Sequence, residues 1–246
     1  MPQTLKGQPL AGTRPWFRVQ AKKDGAAAEV FIYDEIGAGF FGGGIAAADL
    51  IKEIKGLGLK AGDELKVRIN SPGGNFFEGV TIHNYLRTEK AKIIVRVDGV
   101  AASAASVVVM AGDRIEMPQN AMLFIHNPWM FAAGDAKVMR KVAEDLDQMR
   151  DSAAGTYLRR AGDKLTRAKL LDMLDAETWL TAEDSVKHGL ADVVDEPVRA
   201  AALAQFDFRK YGFPVPAALV NAKDTIVDER KRRREAVKLL KEFAAD

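Results

Sequence analysis

From Glu29 onward the chain alternates between two hydrophobic periods. The segments 29–33 (EVFIY), 64–70 (ELKVRIN) and 92–99 (KIIVRVDG) place apolar residues at every second position or in short unbroken runs, the signature of strands with one or both faces buried. Between and after them, 44–55, 77–88 and 102–112 read as helices. Strands alternating with helices predict an α/β fold, a mostly parallel sheet built from repeated strand-helix units. Two short strands are expected at 113–118 (DRIEMP) and 121–126 (AMLFIH). Beyond them, Val138, Val142, Leu146, Met149, Ala153 and Tyr157 recur at intervals of three or four, so 135–160 is expected to be one long amphipathic helix that must pack against something. A helix over 182–188, stopped by Gly189 and followed by a short strand, closes the pattern.

The pattern divides the chain into an arm over 1–27 with at most a short strand near Trp16 to Val19, a domain over 28–196, and an extension over 197–246 ending in a charged helix from about Val227 to Phe243. At 246 residues and 48% hydrophobic content, one sizeable core is expected. The net charge of +2 argues against a nucleic-acid partner, and the basic run Arg230 to Arg234 is diluted by neighbouring acids such as Glu235. With no cysteine, thiolate nucleophiles, thiolate metal sites and disulfides are excluded. Residues 1–10 lack the apolar centre of a secretory signal, and no apolar run reaches the roughly 18 residues of a membrane span, so a soluble cytoplasmic protein is expected.

Three turns could carry chemistry. Gly37, Gly39 and Gly42 match G-x-G-x-x-G, but the strand that follows ends in Ile69-Asn70-Ser71 with no acid for a ribose, so a tight glycine turn is the expected reading. In 69–74 (INSPGG) a strand feeds a helix through Ser-Pro-Gly-Gly, which exposes backbone N–H groups where a developing negative charge is stabilised. One unit later, 98–112 (DGVAASAASVVVMAG) runs a strand into two serines. Ser103 opens the helix, with its hydroxyl at the carboxyl end of the strand, where open parallel sheets place their ligands. Ser106, one turn on, is expected to face the core or bond a preceding carbonyl.

A nucleophilic serine needs a base, and the chain has three histidines. His83 sits mid-helix and His188 at a helix end, both structural positions. His126 ends an apolar strand and is followed by Asn-Pro, so a rigid element delivers it to the mouth of the sheet.

The motifs INSPGG, GVAAS with its serine 29 residues after Gly74, MPQNAMLFIHNP and ETWLTAEDSVKHGLAD, in that order, resemble the caseinolytic serine peptidases of the ClpP family over about residues 28–196. The resemblance implies the ClpP/crotonase-type fold with a protruding long helix. It implies Ser103 as nucleophile, His126 as general base, and the N–H groups of Gly74 and Ala104 as the oxyanion hole. The family's aspartate falls here on Glu177, with Asp175 the nearby substitute; the ungapped register favours Glu177.

On this reading the substrate is a polypeptide, no cofactor or metal is required, and the chain assembles into a homo-oligomeric ring or barrel, the long helix interlocking two rings. An ATPase unfoldase or capsid proteins are the further partners. The helical, basic extension resembles the head-maturation proteases of tailed phages and prophages, which would act in the host cytoplasm. Competing readings are a crotonase-like acyl-CoA hydratase or isomerase, which does not need Ser103 and His126 together, a non-catalytic capsid assembly factor, and a serine-lysine signal-peptide peptidase, which leaves His126 unexplained.

Overall fold

The computed structural model describes residues 19–20, 27–37 and 44–196. Its elements run β1 (Val19–Gln20), β2 (Ala28–Ile32), α1 (Ala47–Gly56), β3 (Glu64–Ser71), α2 (Phe76–Thr88), β4 (Lys92–Ala102), α3 (Ala104–Val109), β5 (Arg114–Pro118), β6 (Met122–Ile125), α4 (Ala136–Ala161), α5 (Arg167–Asp175), β7 (Thr178–Thr181), α6 (Ala182–Lys187) and β8 (Val193–Asp195). The expected strand-helix units are all present. Helix α5 and strand β7 were not anticipated. The glycine-rich segment 38–43 and the extension from 197 onward, with its expected helix and basic run, lie outside the described residues.

The sheet runs β1-β2-β3-β4-β5-β8, parallel except for β1 on β2. Strand β4 is its branch point. Residues 94–96 pair with β5, whereas Val100, Ala101 and Ala102 pair with Met122, Leu123 and Phe124 of β6, and β6 in turn carries β7 antiparallel. The register between β3 and β4 shifts between Ile69 and Ser71, and the buried Asn70 side chain fills the gap by accepting the Val100 N–H at 3.2 Å. Because β4 outlasts its first neighbour, its carboxyl end emerges against β6 instead of at a free edge.

One face of the sheet carries Leu65, Val67, Ile69, Ile93, Val95 and Val97 into a core shared with Leu50, Ile54, Ile82, Leu86 and Val108 of the helices. Alternate positions face the other way and are mostly polar, with Phe31 and Ile94 the apolar ones on β2 and β4. On that polar face Asp98, almost wholly buried, takes both nitrogens of an Arg68 fork at 2.7 Å and 2.7 Å, the Tyr33 hydroxyl, and Arg96 Nε at 3.2 Å. Arg96 continues the row to Glu116 and Asp195. These pairs tie β2, β3, β4, β5 and β8 together where no apolar layer does so.

Helix α4 is amphipathic as expected, but its packing is split. Ala153, Ala154, Tyr157 and Ala161 of the carboxyl half are buried, while the amino half is exposed or half-exposed, with Val138 and Met139 on its surface beside Trp129, Met130 and Phe131 of the preceding loop.

Removing the anchor of the polar row leaves two guanidinium groups without their shared carboxylate. Asp98→Ala is therefore expected to lower stability by about 2–3 kcal/mol, less than a fully buried pair because Arg68 is partly solvated. A urea titration would show this as a lower midpoint at unchanged slope.

Candidate active site

The turn after β3 is built backbone first. Ser71 Oγ donates to Asp34 O at 2.6 Å and accepts the Gly73 N–H at 3.1 Å, which fixes the start of the turn. Gly73 and Gly74 both hold positive φ, +94° and +139°. A side chain at Gly73 would meet Ala102 O at 2.5 Å and Ser103 Cβ at 2.7 Å; one at Gly74 would meet Ile36 O at 2.2 Å. Two backbones thus approach each other through these glycines. Ile36 donates to Gly73 O at 2.7 Å and accepts from Asn75 N–H at 2.8 Å, the pattern of a parallel bridge to Gly74. In such a bridge the intervening residue turns its own N–H to the opposite side, here toward β4.

Ser103 occupies the corner between β4 and α3, with φ +54° and ψ −127°, a region that residues with a side chain rarely enter. Its N–H donates to Phe124 O at 2.9 Å, which continues the β4–β6 ladder to the corner itself. A strained strand-to-helix corner holding an accessible hydroxyl is the geometry of a nucleophile elbow. Ser106 is different: wholly buried, it donates to Ser103 O at 2.6 Å, the preceding-carbonyl bond expected of it.

His126 follows β6 directly. The parallel register Ala102↔Phe124, carried two residues on, sets it beside Ala104, diagonal to Ser103. Its ring stacks on Phe124 at 5.2 Å, and Phe124 stacks on Trp179 at 4.5 Å, so the imidazole backs onto an aromatic wall. Burial there pushes its pKa down to about 4, partly offset by a hydrogen bond to the Asn127 backbone. The antiparallel register Ile125↔Thr178, extended one step, places Glu177 opposite His126.

Glu177 is exposed and has φ +48°, the left-handed conformation that a helix end normally assigns to glycine. Among the described residues its carboxylate makes no hydrogen bond or ion pair. Asp175 accepts the Asn127 amide at 2.7 Å, so its contact is with the residue after His126. The strand registers therefore set Gly74, Ser103, Ala104, His126 and Glu177 on adjoining strand ends, while the Glu177 carboxylate makes no hydrogen bond with the imidazole. His83 is buried in α2 against Asn84, and burial lowers its pKa too; His188 caps α6. Neither stands on an element that carries Ser103 or His126.

Sequence reasoning missed the close approach at Gly73, for which the doubled glycine of SPGG was the available signal. It also missed the Asn127–Asp175 bond, for which there was none.

The family model described as Clp protease matches residues 30–197. An ATP-dependent Clp protease proteolytic subunit from Deinococcus radiodurans is 30% identical over 139 residues, covering 55% of this chain and 67% of that protein. One from Chlorella vulgaris is 32% identical over 136 residues, covering 53% and 65%. The chain thus spans about two thirds of the length of these curated relatives. In fold it is similar to a point mutant of ClpP1 from Listeria monocytogenes, with a TM-score of 0.57 at 24% identity, covering 68% of this chain and 91% of that one.

The two non-glycine residues at positive φ give a test of backbone strain. At both Ser103 and Glu177, replacement by Gly is expected to be more stable than replacement by Ala by about 1 kcal/mol, the reverse of the order at ordinary positions. Urea midpoints of the four variants check this; Ala above Gly at either site would show that the corner is not strained.

Proposed function

The chain belongs to the Clp protease family, and from that premise we propose that it is a serine-type endopeptidase in which Ser103 is the nucleophile, His126 the general base and Glu177 the third member of the triad. The observation that carries the reading is the strained corner at Ser103, set against the Gly73-Gly74 turn on one side and the end of β6 on the other.

Ser103 Oγ attacks the scissile carbonyl while His126 takes its proton; the N–H groups of Gly74 and Ala104 hold the oxyanion; His126 then protonates the leaving amine, and water repeats the sequence to release the acyl group. Neutral imidazole is required for the first step, and its dry niche keeps it neutral. Glu177, opposite in register, completes the triad when its carboxylate moves onto the imidazole, as catalytic contacts commonly tighten only with substrate bound. Asp175 is left with the structural task of holding Asn127.

Members of this family form homo-oligomeric rings, and the exposed apolar residues around Val138 and Met139 support burial of that half of α4 between copies of this chain. No helix among the described residues is long and apolar enough to cross a membrane. The segment that resembles head-maturation proteases, 197–246, lies outside the described residues.

A fluorophosphonate should label Ser103 and abolish peptide cleavage; turnover of an enoyl-CoA without labelling would favour the crotonase-like alternative. Activity should be lost as pH falls through the His126 pKa, since protonation removes the base. A carboxylate against the ring raises that pKa above the value near 4 set by burial, so Glu177→Gln is expected to shift the acid limb of kcat/KM toward lower pH. The same change should cut turnover by roughly 10⁴-fold. Asp175→Asn should do neither, and a silent Glu177→Gln beside an inactive Asp175→Asn would transfer the role. Separately, Val138→Glu is expected to reduce the sedimentation coefficient of the assembly; an unchanged value would remove α4 from the interface.

A further inference from the structure

Ser106 and Tyr157 are two hydroxyls inside the core that peptide hydrolysis by Ser103 and His126 leaves without a task. Ser106 is 0% exposed and Tyr157 2% exposed, and their oxygens are 2.7 Å apart although the residues are 51 positions apart in sequence. The single proton of Ser106 goes to the Ser103 carbonyl at 2.6 Å, so Tyr157 is the donor in the bond between the two hydroxyls. Burial pushes the Tyr157 pKa up to about 12, which keeps the phenol protonated for that role. The Ser103 carbonyl also accepts the Ser106 N–H at 2.9 Å.

The consequence lies in the peptide plane. The Ser103 carbonyl and the Ala104 N–H belong to one planar trans unit and point in opposite directions, so fixing the first aims the second. Ser103 stands at φ +54°, and turning this plane over would reverse the Ala104 N–H. We propose that Ser106 and Tyr157 are positioning residues for the oxyanion: they clamp the Ser103–Ala104 peptide with the Ala104 N–H facing the reacting carbonyl and anchor that clamp to helix α4. This rests on the peptidase reading above. A purely structural hydroxyl pair would be replaceable by Ala and Phe with little effect, since removing both partners leaves no buried group unsatisfied.

That property supplies the experiment. The double variant Ser106→Ala/Tyr157→Phe is expected to unfold near the wild-type temperature, to retain KM within about twofold, and to lose kcat by roughly 10- to 100-fold, less than deletion of an oxyanion donor outright. A peptide aldehyde, whose adduct with the serine carries the same oxyanion, should lose affinity by the same factor as kcat. Tyr157→Phe alone keeps the ring packing and should show a smaller loss of the same kind; it carries the test should the double variant fail to fold. A folded variant with kcat and aldehyde affinity within twofold of wild type overturns the proposal, as does a loss of kcat that leaves aldehyde affinity unchanged. If the wild-type protein itself is not labelled at Ser103 by a fluorophosphonate, the peptidase reading falls and this proposal falls with it, a result visible without any variant.

Discussion

Everything at the site depends on one backbone-to-backbone approach. Gly73 lies so close to Ala102, Ser103 and Ala104 that the first atom of any side chain would overlap the Ala102 carbonyl or the Ser103 Cβ. The approach sets the turn after β3 against the corner after β4, and with it the Gly74 N–H on the β4 side. It also explains why the neighbouring surfaces are small: Ala104 Cβ lies only 3.0 Å from where a side chain on Gly79 would begin, so α2 and α3 meet through a glycine and an alanine. A larger residue at any of these positions would separate the turn from the corner before it disturbed the core.

The second constraint is the branching of β4. A strand paired along its whole length with β5 would end at the sheet's rim, with the serine distant from β6. Because only residues 94–96 pair with β5, the last three residues are free to pair with β6, and β6 delivers His126 one step past its own end. The aromatic stack of Phe124 and Trp179 then excludes water from one side of the imidazole, which lowers its pKa and makes any carboxylate brought to it count for more than it would in water. Dryness and geometry come from the same two strands.

These features were unequally legible in the sequence. The strands β2, β3 and β4 and the helices between them follow from local periodicity, and the distinction between Ser103 and Ser106 follows from position alone, the first at the strand's mouth and the second a turn inside. The turn expected over Gly37, Gly39 and Gly42 lies almost wholly outside the described residues; of its glycines Gly37 is described, with φ +87° and its N–H donating to Ile45 O at 2.8 Å. Helix α5 was missed because its apolar residues Leu170, Met173 and Leu174 form a stripe too short to stand out from a charged segment, and β7 because four residues with one buried side chain carry almost no period. Tyr157 was read as one more apolar position of the α4 stripe. Its spacing was right, but its hydroxyl has a partner 51 residues away, and no periodicity reports a contact of that range.

The strain at Ser103 and the bonds around it are of matching size. A residue with a side chain held at φ +54° costs on the order of 1–3 kcal/mol. Three hydrogen bonds oppose its relaxation, one from its N–H to Phe124 O and two into its carbonyl from Ser106, each contributing about 0.5–1.5 kcal/mol net. The single bond of the strand pairing falls short of the upper end of that cost, and the two bonds from Ser106 supply the rest. The bond from β6 fixes the residue's entry and the bonds from Ser106 fix its exit, so the corner is determined from both sides. Tyr157, bonded to the Ser106 hydroxyl that reaches the carbonyl, ties the exit to α4 as well as to α3. A six-residue helix is too short to hold its own first turn against strain; a 26-residue helix packed along its carboxyl half supplies the fixed point.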